Sequence, residues 1–188
     1  MNYRKLSFRI MTLSLVLIIS GCVSSFVISL KQDHEATYNR MYKVDDEFEV
    51  FSANTSVFEE KRDELYTVVL SNVYYDTMYQ EDKAIKNKLS NYENLVDELT
   101  KNTNNLNKLC NNMYYSSSDT NSKCNNYKSI YEQVVNYFVN DIKVYNDNVN
   151  KYNKYQKENN SSLIISKYST KKKYIDYNKD KKFDGKEE

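Results

Sequence analysis

The chain has 188 residues, 27 basic against 26 acidic side chains and a formal net charge of +1, with no proline, no tryptophan and two glycines. That length holds one domain, with or without an anchor, and the balanced charge excludes the basic face of a general nucleic-acid binder. Barrels and sandwiches need many tight turns built on Gly and Pro, so a few long helices remain.

Residues 1–9 carry three positive charges and no negative one, and residues 10–30 (IMTLSLVLIISGCVSSFVISL) carry no charge at all. At 1.5 Å per residue that stretch covers about 31 Å, the thickness of a hydrocarbon core. Residues 1–31 are therefore expected to form a membrane anchor that enters the lipid through residues 10–30. The basic flank keeps the N-terminus in the cytoplasm and places everything after Lys31 outside it, as a single-pass protein of the cell membrane. Ile19-Ser20-Gly21-Cys22 resembles a lipobox, which leaves a second route open: cleavage before Cys22 and lipidation of its sulfur, with the same domain held on the outer face. The apolar run from Val23 to Leu30 favours the uncleaved helix.

Residues 32–162 read as one long three-helix bundle, with helices over about 33–75, 78–113 and 121–160. In the first, Tyr38, Met41, Val44, Phe48, Phe51, Thr55, Phe58, Leu65, Val69 and Val73 recur at helical spacing. Thr77-Met78-Tyr79-Gln80 fits a capping box at the start of the second. There Ile85, Leu89, Tyr92, Val96, Leu99, Thr103, Leu106, Cys110 and Met113 alternate spacings of four and three, a coiled-coil seam. A turn rich in Asn and Ser (NNMYYSSSDTNS) separates it from a third seam: Cys124, Tyr127, Tyr131 and Val134, shifting to Val135, Phe138, Ile142, Tyr145, Val149 and Tyr152. Similar lengths and short connections predict an all-α, up–down–up antiparallel bundle. Matching the helical rises sets Tyr145 level with about Glu64.

Cys110 and Cys124 lie seven residues either side of Ser117 in that turn. An antiparallel hairpin puts them at one height, where outside the cytoplasm they can oxidise; two buried free thiols are the other reading. His34 is the only histidine and completes neither a metal pair nor a nucleophile–base pair. The acidic runs at 44–47 and 59–64 read as solvated helix faces.

Residues 163–188 comprise an apolar patch, Leu163-Ile164-Ile165, expected to dock on the end of the bundle, and a charged tail. In the tail Asp176, Asn178, Asp180, Asp184 and Glu187 fall at the oxygen-ligand positions of an EF-hand loop. Lys181 stands where the sharp turn wants glycine, so a solvated tail is the ordinary reading and a weak calcium loop the alternative. No cofactor and no other metal is expected.

The first and third helices together resemble the LemA family of membrane-anchored helical proteins. The features are a Tyr-Asn pair close after the membrane segment (Tyr38-Asn39, with Met41), the stretch Lys61-Arg62-Asp63-Glu64-Leu65-Tyr66-Thr67-Val68-Val69-Leu70, and the later pairs Tyr145-Asn146 and Tyr152-Asn153 around Val149. Thr67 and Val68 replace the family's Pro and Asn, so the chain looks like a divergent member, and residues 75–140 have no counterpart. The resemblance implies an envelope scaffold or interaction protein without catalytic chemistry. The alternative is a cell-wall-associated or calcium-sensing lipoprotein tethered through Cys22. Arg62, Glu64, Tyr145, Asn146, Tyr152 and Asn153 are expected to meet at the membrane-distal third, either as an internal lock or as a docking patch for a protein partner.

Overall fold

The computed structural model describes the backbone of residues 3–66, 75–111, 113 and 116–171, with side chains at residue 29 and from residue 31 on. Three helices and no strand occur among the described residues: α1 (Tyr3–Leu65), α2 (Met78–Cys110) and α3 (Ser118–Glu158). Among them no helix is long and apolar enough to cross a membrane. The expected anchor falls where only the helical backbone is described, so its side chains, Cys22 included, lie outside the described residues. So do residues 67–74 and the whole calcium-loop candidate Asp176, Asn178, Asp180, Asp184 and Glu187.

Cross-helix contacts fix the topology. Phe58 of α1 stacks on Tyr92 of α2, and Asn54 and Glu47, further back along α1, both reach Asn102 further on in α2, so these two helices run antiparallel. Lys123 pairs with Asp45 and Asp141 with Arg62, so α3 runs parallel to α1. The two pairs are 78 and 79 residues apart in sequence. The offset therefore stays constant along the bundle, and Tyr145 comes level with Tyr66, within a turn of the height expected.

The core explains why these segments are helical. Among the described side chains of α1 the fully buried residues are Val44, Phe51, Phe58 and Leu65, one per heptad, with Phe48 partly buried beside Phe51. α2 buries Ile85, Leu89, Tyr92, Val96, Leu99, Thr103 and Leu106 in the expected four–three alternation. α3 buries its expected seam from Tyr127 to Tyr152, Val135, Phe138, Ile142, Tyr145 and Val149 included. Asp141 and Asn148 are buried as well, and they carry the alternation of Tyr127, Tyr131 and Val134 straight on through Phe138 and Tyr145 to Tyr152. The step at Val134–Val135 thus marks two buried stripes lying side by side, the second running through Val135, Ile142, Val149 and Gln156.

α1 is described to Leu65, and most of the rest of its expected span, residues 67–74, lies outside the described residues. The other helix ends depart from expectation for local reasons. Thr77 precedes α2, yet its side chain makes no capping bond and its backbone is helical, so the capping box does not form. α2 stops at Cys110 rather than 113. α3 starts at Ser118, not 121, because Ser117 is extended and its Oγ accepts the Thr120 amide at 3.0 Å, the normal chemistry of an N-cap. At the other end Asn160 takes a left-handed φ of 53°. The Ser161 amide donates to Gln156 and the Asn160 amide to Lys157, which satisfies two terminal carbonyls and closes α3 as a Schellman motif. Cys110 and Cys124 are joined by a disulfide, Cα atoms 5.7 Å apart, across the α2–α3 turn.

Beyond α3 the chain does not cap the bundle end as expected. It turns back, and residues 161–171 run without regular structure as a strap antiparallel to α3. Of the apolar patch only Ile165 is buried (4% exposed), while Leu163 and Ile164 remain 40% and 42% exposed.

Candidate functional site

Halfway along the bundle one residue from each helix meets at a buried carboxylate. Asp141 on α3 is fully enclosed, and its Oδ2 accepts Arg62 Nε at 2.8 Å and the Tyr92 hydroxyl at 3.0 Å. Arg62 Nη2 reaches Oδ1 at 3.4 Å. The guanidinium is covered by aromatic rings, with its carbon 4.0 Å from the centre of Tyr137 and 4.8 Å from that of Tyr66. Beneath, Tyr92 packs between Phe58 and Phe138, at centroid distances of 4.7 and 5.3 Å. Burial on its own would lower the Arg62 guanidinium, but the hydrogen bond and charge of Asp141 outweigh it and hold the group above its ordinary value. Burial, helped by the Asp141 charge, pushes the Tyr92 hydroxyl far up, so it stays a neutral donor. A buried ion pair with both rings and hydroxyl satisfied locks three helices at one height; its carboxylate has no exposed face to offer a substrate.

The second constellation lies in the groove between α3 and α2, and the strap fills it. Asn153 donates its amide to the Ile165 carbonyl at 2.8 Å and accepts the Ile165 N–H at 3.0 Å. Asn146 does the same with Tyr168, at 3.0 and 2.9 Å. The spacing is physical: seven helical residues advance about 10.5 Å and three extended residues about 10 Å, so two amides on one helix face meet every third residue of an antiparallel strap. Across the groove the buried Glu93 of α2 accepts the Tyr168 hydroxyl at 2.8 Å and the Lys171 N–H at 2.6 Å. Lys171 Nζ reaches Asn94 and Lys86 Nζ reaches Ser166. Burial first, then the hydrogen bond and charge of Glu93, raise the Tyr168 hydroxyl well above its usual value.

The six residues expected to form one site are thus divided. Arg62 belongs to the Asp141 centre. Asn146 and Asn153 hold the strap. Tyr145 is buried and donates to Asp82 at 3.1 Å, and Tyr152 is buried in the core. Glu64 stays on the surface, bonded to Lys61 at 2.6 Å, beside an open groove of about 390 Å³ between α1 and α2. The hydrogen bond from Lys61, against some burial, holds the Glu64 carboxyl below its ordinary value. Sequence reasoning missed Asp141, Tyr92, Glu93 and Tyr168. Asp141 could have been found from its place in an unbroken seam; Glu93 and Tyr168 carry no such signal.

Among the described residues no group of His, Cys, Asp and Glu could hold a metal ion. No known protein family, curated protein or solved structure matches this chain.

Proposed function

We propose that the chain is a membrane-tethered helical scaffold of the cell envelope, LemA-like in plan, that presents the far end of its bundle to a protein partner outside the cytoplasm. The observation that carries this reading is the continuity of α1. One helix of 63 residues contains both the uncharged stretch and the first stripe of the bundle core, and it extends about 94 Å. Such a helix transmits position from base to tip, which suits a stalk. Exposed aromatic rings also group at the tip, as Tyr38 and Tyr42 do near the base: Tyr75 packs on Tyr155 at 4.5 Å, and both, with Tyr79, remain open to solvent. Single exposed tyrosines are ordinary, whereas grouped ones mark contact surfaces.

The test is fractionation of host membranes with a C-terminal epitope on the full chain. The protein should stay with the membrane through alkaline carbonate, and external protease should remove the epitope from intact spheroplasts. Release into the carbonate supernatant, with no acyl group on Cys22 by mass spectrometry, would overturn the tether. An acylated Cys22 as mature N-terminus would replace the spanning helix with the lipid anchor.

A further inference from the structure

The strap is held as a ligand is held in a site. Asn146, Asn153 and Glu93 bind three of its residues through the main chain. Side chains add a pattern: buried Ile165, the Tyr168 hydroxyl on Glu93 and the Lys171 ammonium on Asn94. The site reads an extended Ile-x-x-Tyr-x-x-Lys segment. Its own helix does not need the strap, because the Schellman motif at Asn160 and Ser161 already closes α3.

We propose that this groove takes the Ile165–Lys171 segment of a second copy of the chain, so that two copies exchange straps. A second copy carries the matching segment by construction and would remake every bond the strap makes at home, which is what makes exchange of an identical element inexpensive. The link between helix end and first pinned residue favours it too. The amides of Leu163 and Ile164 bond only to Ser161 and Ser162 next to them. Residues 162–164, drawn out, span about 10 Å, the 8–10 Å between axes of packed helices, so the link reaches a copy lying alongside. Leu163 and Ile164, both exposed in the single chain, would then lie between the two copies. The proposal does not depend on the tether, since chains free in solution would exchange equally.

Two full-length variants in detergent micelles test it by complementation. One carries Ile165→Asp with Tyr168→Ala, leaving an intact but vacated groove. The other carries Asn146→Ala with Asn153→Ala, leaving an intact but released strap. Each alone should stay monomeric by light scattering, and their mixture should form a one-to-one dimer with at least tenfold tighter association than either alone. A mixture that stays monomeric, with both variants helical by circular dichroism, overturns the proposal; so does equal dimerisation of the groove variant alone. A gentler pair guards against misfolding. Copies bearing only Asn94→Cys and copies bearing only Lys171→Cys, unfolded and refolded together, should cross-link to each other. If those cysteines bond only when placed in the same chain, the strap does not exchange.

Discussion

Arg62 and Asp141 lie 79 residues apart in sequence and meet at 2.8 Å, with the arginine side chain 21% exposed and the aspartate wholly enclosed. Burying two charges costs free energy that their attraction only just returns, so removing one partner is far worse than removing both. Asp141→Ala should therefore destabilise the bundle by about 3 kcal/mol, measured by urea unfolding. The double replacement Arg62→Met with Asp141→Leu should recover most of that loss. A double variant as unstable as the single one would mean that the pair stabilises by more than mutual compensation.

The Cys110–Cys124 bridge closes a separation of 14 residues. Constraining a loop of that size in the unfolded chain contributes about 3 kcal/mol. Reduction, or Cys110→Ser with Cys124→Ser, should lower the unfolding midpoint by that amount. Thiol labelling of the purified, unreduced domain should find neither cysteine free. Stoichiometric labelling would sink the bridge.

Tyr92, Tyr145 and Tyr168 each donate a hydroxyl proton to a carboxylate, and burial raises all three above the ordinary 10.0. A group raised in the folded state stabilises fully below its unfolded value and loses that contribution as pH climbs toward the folded one. Stability attributable to these hydroxyls should hold up to about pH 10 and fall above it. Tyrosinate absorbance should rise in two steps, the second coincident with loss of helical signal. Smooth titration of all tyrosines near pH 10 with the helices intact would contradict the burial.

Asn160 occupies the left-handed region that lets the strap leave α3. A β-branched residue is strained there by about 1–3 kcal/mol, so Asn160→Val should loosen the strap while the seam stays formed. Hydrogen exchange should show faster exchange at the Ile165 and Tyr168 amides and little change at Phe138. Uniform acceleration along α3 would instead tie the helix end to global stability.

Much of the bundle was legible because its signal is local and periodic. The seam of α2 follows directly from residues 85–106, and the lack of proline removed the common helix breaker. What the apolar pattern left out is the polar part of the core: the expected seam of α3 is buried from Tyr127 to Tyr152, and Asp141 and Asn148 lie buried beside it. Their burial depends on partners from elsewhere in the chain, Arg62 and Tyr92 in the case of Asp141, which no window along α3 contains. The Tyr-Asn pairs were misassigned for a similar reason. Asn146 and Asn153 match a strap whose main chain they bind, and an extended segment of mixed polar residues has no periodicity to betray it. Counting alone placed Cys110 and Cys124 at one height about the turn, and the structure decides between bridge and free thiols.

The fully buried residues of α1, Val44 to Leu65 at strict sevens, have a geometric corollary. An ideal helix drifts by about 20° per heptad against a seven-residue repeat, so α1 stays in contact only by winding left-handed around the other two. Length and bearing are then separable properties of this rod. Whole heptads added at one level in all three helices would lengthen it by about 10.5 Å each and leave its tip facing the same way. Any other insertion in α1 alone would swing the next stripe residue off the seam, by about 100° for one residue, and aim the tip at a different compass point.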